Sequence, residues 1–106
     1  MLRQQIWESI ELELRKAKKK FPSWPDHIVA RAGIVCEEAG ELVKASLQYK
    51  YQRADNPAGQ QDQIESMRTE AIQTAVMSIR FLELLENIDK LKPDAEQAEE
   101  KVNGLL

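Results

Sequence analysis

Three glutamates lie within five consecutive residues, in the sequence EEAGE. On a helix that turns about 100° per residue, Glu37, Glu38 and Glu41 project within roughly a quarter to a third of the circumference. Like charges at this spacing destabilise an isolated helix by a few tenths of a kcal/mol per pair. Only Lys44, one turn beyond Glu41, is placed on this helix to offset them. We therefore expect another group or a cation to compensate the charge.

The surroundings predicted for these carboxylates are partly apolar. Projecting the helix places Ile34 and Ala45 among Glu38 and Glu41, so Glu38 is expected to be partly buried. In the next helix, the residues on the same line as Glu70 are apolar: Met77, Phe81, Leu84 and Ile88. A carboxylate in such a sector is costly unless it is paired or bound to a metal ion.

Clustered carboxylates without His or Cys in the same sector favour Mg²⁺, or Mn²⁺, over zinc or copper. A Mg²⁺ ion held this way keeps positions for water and phosphate oxygens, lowers the pKa of a bound water and neutralises charge on a leaving pyrophosphate. A carboxylate not committed to the metal would act as general base. The alternative is a solvated, Glu-rich helix. A di-iron bundle needs Glu-x-x-His on paired helices, and the only histidine is His27.

Helix signals dominate the chain and no strand is predicted. The first helix ends in a basic turn before Phe21-Pro22, and Asp26 is the expected N-cap of the second. The segment from Arg53 to Gln61 is predicted as a loop because it has no periodicity and contains Asn56-Pro57 and Gly59. The four predicted helices cover residues 2–20, 27–51, 62–87 and 94–103.

Apolar periodicity predicts which helix faces are buried. In the second helix the predicted line contains Ile28, Ala32, Val35, Ala39, Leu42, Ser46 and Tyr49. In the third helix it contains Ile64, Met67, Ala71, Ala75, Ser78, Leu82 and Leu85. Arg80 is expected to face away from that line, in a structural or intersubunit role. Cys36 is expected to be a small core residue and not a nucleophile.

Length and composition indicate one domain, residues 1–106. Hydrophobic residues make up 42% and charged residues 31%, which is typical of a globular protein. Small helical domains often bury more surface by association, so a homo-oligomer is expected. The net charge of -3, with scattered Lys and Arg, disfavours binding to a nucleic-acid polymer. A single cysteine, no signal pattern and no membrane-spanning run predict a soluble, cytoplasmic protein.

The segment VCEEAGELVKA, followed in the next helix by EAIQ, resembles the MazG-like branch of the all-α nucleoside triphosphate pyrophosphohydrolases. The resemblance covers about residues 26–86 and implies a four-helix MazG-like bundle completed by dimerisation. In that family Glu-Glu-x-x-Glu and Glu-x-x-Asp bind Mg²⁺ for hydrolysis of a nucleoside triphosphate to the monophosphate and pyrophosphate. It implies that Glu37, Glu38 and Glu41 are catalytic and bind metal, together with Glu70 and Gln73.

Gln73 stands where the family has Asp, so it offers an oxygen ligand but neither a charge nor a base. The sequence around it is similar to a phage-associated set of MazG-like proteins that also carry Gln there. The resemblance further implies a homodimer or a dimer-based tetramer. Lys44 is a candidate phosphate contact, or else a solvated lysine. Trp24 and His27 are candidate base contacts, but Trp24 is better explained as a plug between the first two helices.

Two functions follow from this resemblance. The first is an active Mg²⁺-dependent nucleoside triphosphate pyrophosphohydrolase that maintains nucleotide pools. The alternative is a catalytically weak or inactive MazG-like module that binds a nucleotide or a partner protein, and Gln73 motivates it. A helical interaction module with incidental glutamates is a third interpretation.

Overall fold

The described part of the computed structural model covers residues 1–23 and 27–91, with side chains described to residue 88. It contains three helices, α1 (Arg3–Lys20), α2 (Ile28–Tyr51) and α3 (Pro57–Leu91), and no strand. Both α1 and α2 pack against α3, and the contact between α2 and α3 is the more extensive. The predicted all-α class is confirmed. The helix predicted over residues 94–103 lies outside the described residues.

The connection between α2 and α3 is shorter than the sequence predicts. Asn56 caps α3: its side-chain Oδ1 accepts a hydrogen bond from the Gly59 N–H at 2.7 Å, and its carbonyl accepts one from the Gln60 N–H at 3.1 Å. Pro57 occupies the first helical position, where its missing N–H costs no helical bond. The loop predicted over residues 53–61 was therefore wrong in its second half, because Asn-Pro here begins a helix.

Removing the cap at Asn56 should weaken the start of α3. We expect Asn56→Ala to lower the free energy of unfolding by about 1 kcal/mol, the usual cost of losing an N-cap side chain. Urea denaturation followed by circular dichroism measures this loss. Asn56→Asp keeps a capping oxygen and should stay close to the wild type; an equal loss in both variants would show that the capping hydrogen bond is not the cause of the loss.

The core lies along a different face of α3 from the predicted one. The buried residues of α3 are Val76, Arg80 and Leu84, which succeed one another at four-residue spacing. On the predicted line, Leu82 is 59% exposed. Arg80 lies off the predicted line, as expected, but it is buried, so that line does not mark the core of a helix against which both α1 and α2 pack. Arg80 Nη2 donates to the carbonyl of Phe21, just after α1, at 2.8 Å.

One long face of α2 carries large exposed apolar side chains. Val43, Leu47 and Tyr51 follow one another at four-residue spacing and are 57%, 51% and 70% exposed. We call these three residues the outer face of α2. Cys36 is also exposed, so its predicted place in the core was wrong: it projects away from the side of α2 that carries buried Ala45. Within the described helices, none combines the length and hydropathy needed to cross a membrane.

Candidate functional site

The middle turns of α2 carry the three glutamates. The segment around them consists largely of strong helix formers, so α2 runs through it without interruption. Glu38 is half-buried, whereas Glu37 and Glu41 are exposed to solvent. The prediction that Glu38 is partly buried is confirmed. The cluster therefore has one member facing the body of the protein and two members at its solvent edge.

Glu38 meets Glu70 across the contact between α2 and α3. The two carboxyl groups lie close enough for a side-chain hydrogen bond, which requires a proton on one of them. Glu70 is also half-buried, as expected for a residue whose helical neighbours are apolar. The structure thus brings together two carboxyl groups that lie far apart in the sequence.

The environment of Glu38 disfavours its ionised form. Burial raises the pKa of Glu38 most, and the charge of Glu70 and then that of Glu37 raise it further. The hydrogen bond with Glu70 and the charge of Glu41 act in the same direction. In the absence of a cation, a proton is the group that relieves the repulsion between these carboxylates.

The donor set fits a hard divalent cation. Mg²⁺ prefers oxygen ligands and usually binds through one or two carboxylates while keeping several waters, which the half-buried Glu38 and Glu70 can provide. Among residues 1–23 and 27–91, no three His, Cys, Asp or Glu side chains are placed together so that they could hold a metal ion. The pair of Glu38 and Glu70 alone would leave most coordination positions of a cation to water or substrate.

This carboxyl pair should make stability depend on pH. Because the pKa of Glu38 is raised on folding, protonation of its carboxyl group stabilises the folded state. This stabilisation is fully present below the unfolded-state pKa of about 4.3 and is lost as the pH rises through the folded-state pKa. We expect Glu38→Gln to melt above the wild type by roughly a few degrees at pH 7, without metal, and by less at pH 4. Melting curves in EDTA between these values measure the difference. A difference that is constant with pH would contradict the assigned repulsion.

Gln73 does not face the same neighbour as Glu70. Its Nε2 donates to Oε2 of Glu13 on α1 at 3.2 Å. The other oxygen of that carboxylate, Oε1, accepts from Nζ of Lys16 at 3.3 Å. Sequence reasoning did not identify Glu13. The sequence feature that could have pointed to Glu13 is its position one turn beyond buried Ile10, at the edge of the apolar stripe of α1.

The predicted nucleotide contacts are dispersed. His27 is the N-cap of α2, and its Nδ1 accepts a hydrogen bond from the Ala30 N–H at 3.3 Å. The expected cap, Asp26, and the candidate base contact, Trp24, lie outside the described residues. Lys44 is exposed on α2 beside the outer face, where it lines a groove of about 560 Å³ with Val43 and Leu47. His27 and Lys44 therefore lie apart, at the start and in the second half of α2.

Comparison of the chain with protein-family models, with curated proteins and with solved structures found no match. The half-buried pair of Glu38 and Glu70, with Glu37 and Glu41 beside it, is the feature of the described residues best suited to chemistry.

Proposed function

We propose that the protein is a Mg²⁺-dependent nucleoside triphosphate pyrophosphohydrolase, which releases the monophosphate and pyrophosphate. The observation that carries this proposal is the meeting of Glu38 and Glu70 across α2 and α3. Such a pair is costly unless a proton or a cation neutralises it, and a polyphosphate substrate brings divalent cations with it. The resemblance of VCEEAGELVKA to the MazG-like proteins supports the same chemistry.

In this proposal each carboxylate has a role that follows from its position. Glu38 and Glu70, which face each other, would hold the cation, with Glu37 and Glu41 available at the solvent edge. When bound, the cation would supply neutralisation of phosphate charge and a lowered pKa of the attacking water. Whichever of Glu37 and Glu41 is not a ligand would accept the proton of that water. The water oxygen bonds to the α-phosphorus, and the bond to the pyrophosphate oxygen breaks.

The proposal also assigns cation or substrate contacts to four further residues: Gln73, Lys44, His27 and Trp24. Gln73 supplies a neutral oxygen near the cation, and Lys44 contacts a substrate phosphate. His27 keeps its Nε2 available for a base, because Nδ1 is used in capping α2. Trp24 is proposed to stack on that base.

A homodimer, alone or paired into a tetramer, is proposed because the outer face of α2 is apolar and exposed. Val43, Leu47 and Tyr51 form a continuous stripe that water contacts in the isolated chain. Covering such a face on association would also bring Lys44 and its groove next to a second subunit. Size-exclusion chromatography with light scattering would measure the mass, and a monomer at micromolar concentration would contradict this part of the proposal.

The activity is tested with purified protein, Mg²⁺ and a panel of canonical and modified nucleoside triphosphates. Pyrophosphate and nucleoside monophosphate should appear in equal amounts, and EDTA should stop their release. Turnover no faster than that of a Glu38→Ala control, for every triphosphate in the panel, would contradict the proposed activity.

A second candidate function is a MazG-like module that binds a nucleotide or a partner protein with little or no turnover. It is favoured by Gln73, which has no charge and whose amide group is engaged by Glu13. Calorimetry with Mg²⁺ and a non-hydrolysable triphosphate separates the two functions. Binding without pyrophosphate release in the wild type, together with gain of turnover in Gln73→Asp, would support the second function.

A further inference from the structure

An apolar line of α2 stays uncovered along the whole helix. Val29, in the first turn, is 67% exposed and projects in the same direction as Leu47 of the outer face, since about 100° per residue returns to one direction after five turns. Gly33, Cys36 and Gly40 continue the line between them, and all three are exposed. We call Val29, Gly33, Cys36, Gly40 and the outer face together the α2 seam. At 1.5 Å per residue the seam is about 33 Å long, which only another helix of similar length covers.

A second copy of the chain is the occupant that fits this seam. Among the described residues, the buried apolar side chains are Ile10, Ala45, Val76 and Leu84, a small core for a chain of 106 residues. Small domains gain further apolar burial by association. The seam itself has the length that is required, and a two-fold axis across it lets one face serve both subunits.

The order of small and large residues makes the α2 seam complementary to itself when two copies run antiparallel. Gly40 lies midway between Val29 and Tyr51, and a two-fold axis at Gly40 sets Val29 against the partner subunit's Tyr51. The same axis sets Gly33 against the partner subunit's Leu47. A Cβ added at Gly33 or Gly40 would meet nothing within 4 Å, so both positions have room for a neighbouring helix. Large side chains thus meet small ones along the pair.

Charges beside the seam favour the same antiparallel arrangement. Glu37 and Lys44 are seven residues apart, so they project within about 20° of each other on one flank of the seam. Both are exposed, and neither forms an ion pair within the part of the chain whose side chains are described. Antiparallel pairing about Gly40 brings Glu37 next to the partner subunit's Lys44. Parallel pairing in register would instead oppose like charges.

We propose that two copies pair through antiparallel α2 seams about a two-fold axis at Gly40, so that the partner subunit's Lys44 lies beside Glu37. This inference rests on the proposed function and deepens it, because it specifies the face and the orientation of the proposed homodimer. The cluster of Glu37, Glu38 and Glu41 thereby receives a positive charge from the other chain. The phosphate contact proposed for Lys44 is then made in the partner subunit's site, so each site combines residues of both chains.

Oxidative cross-linking of the full chain tests the position of the axis. In the double variant C36S/G40C the two introduced thiols lie at the axis and should form an intersubunit disulfide. The two Cys36 thiols of the wild-type dimer are separated by about 12 Å along the helices and should not, because a disulfide needs Cβ atoms about 4 Å apart. The control C36S/S66C, with its thiol at an exposed position of α3, should stay uncross-linked. A wild-type disulfide through Cys36, or none in C36S/G40C, would overturn the inference.

Charge exchange tests the orientation. Glu37→Lys and Lys44→Glu each turn two attractive intersubunit pairs into repulsive ones, so each should raise the dimer dissociation constant roughly five- to tenfold at low salt. An equimolar mixture of the two variants should recover the wild-type value, because the heterodimer restores both pairs. Glu86→Lys makes the same charge change at an exposed position of α3 and should have no effect. Sedimentation equilibrium measures these constants. Wild-type values in both single variants, or a mixture as weak as either, would contradict the antiparallel pairing.

The same measurements separate the pairing from the proposed function. A wild-type dimer that fails both experiments keeps the proposed homodimer and loses only the pairing through the α2 seam. A wild-type chain that stays monomeric overturns the pairing and the proposed homodimer together, and assigns the seam to another segment of the chain or to another protein. Pyrophosphate release tests the proposed hydrolase independently of either outcome.

Discussion

Replacing Glu38 with Gln should lower turnover of the best triphosphate substrate by about 100-fold or more, while making the metal-free protein more stable at neutral pH. The loss follows if Glu38 is the metal ligand proposed above, because 10²- to 10⁴-fold is the usual range for a group that acts directly in such chemistry. The gain in stability follows from ending the repulsion with Glu70 and Glu37. Opposite signs for activity and stability are typical of residues kept for function.

Initial rates at saturating Mg²⁺ and melting curves in EDTA measure the two effects. Glu86→Gln is a suitable control, because Glu86 is an exposed glutamate of α3 and the substitution makes the same chemical change. It should alter neither quantity appreciably. If Glu38→Gln instead lost stability and activity together, Glu38 would be a structural residue, and the proposed metal site at this pair would be contradicted.

Replacing Arg80 with Ala should produce the largest loss of stability among the substitutions considered, about 3 kcal/mol. Arg80 is only 6% exposed and donates to the carbonyl of Phe21 at 2.8 Å, so it joins α3 to the end of α1. The change removes this hydrogen bond and leaves a cavity in the place of a long side chain. Burial, together with the charge of Arg31, lowers the pKa of the Arg80 guanidinium, and the charge of Glu83 opposes that shift.

Urea denaturation gives the free energy of unfolding for this comparison. Arg80→Met keeps most of the side-chain volume, so it separates the packing contribution from that of the charged group. We expect Met to recover part of the loss, and Glu86→Ala, an exposed change on α3, to have an effect within about 0.5 kcal/mol of zero. An Arg80→Met variant more stable than the wild type would show that the free-energy cost of burying the guanidinium exceeds the stabilisation from its contacts.

The sequence was sufficient for α1, α2 and the partial burial of Glu38. Periodicity predicted α1 and α2 to within a few residues, because each helix has one apolar stripe and clear ends, although the N-cap of α2 is His27 and not Asp26. The partial burial of Glu38 followed from its helical neighbours alone. A projection of α3 also pointed to Glu70, because a carboxylate in an apolar line needs a partner.

Other features depended on tertiary contacts that no local pattern shows. Val76, Arg80 and Leu84 are buried in a helix against which both α1 and α2 pack, and the sequence of α3 does not reveal which side each neighbour takes. Glu13 was missed for the same reason, since its contact with Gln73 spans sixty residues. The early start of α3 had a local signal, Asn56 before Pro57, but Pro and Gly together also indicate a loop.

The close approach of Glu38 and Glu70 also bears on how long the folded chain persists. Because like charges meet at the contact between α2 and α3, the unfolded fraction rises at neutral pH whenever nothing neutralises them. Proteases cleave the unfolded protein, so a ligand that binds Glu38 and Glu70 in the folded protein slows degradation. A cation bound between the two helices would therefore slow proteolysis of the protein, and depletion of that cation would speed its degradation.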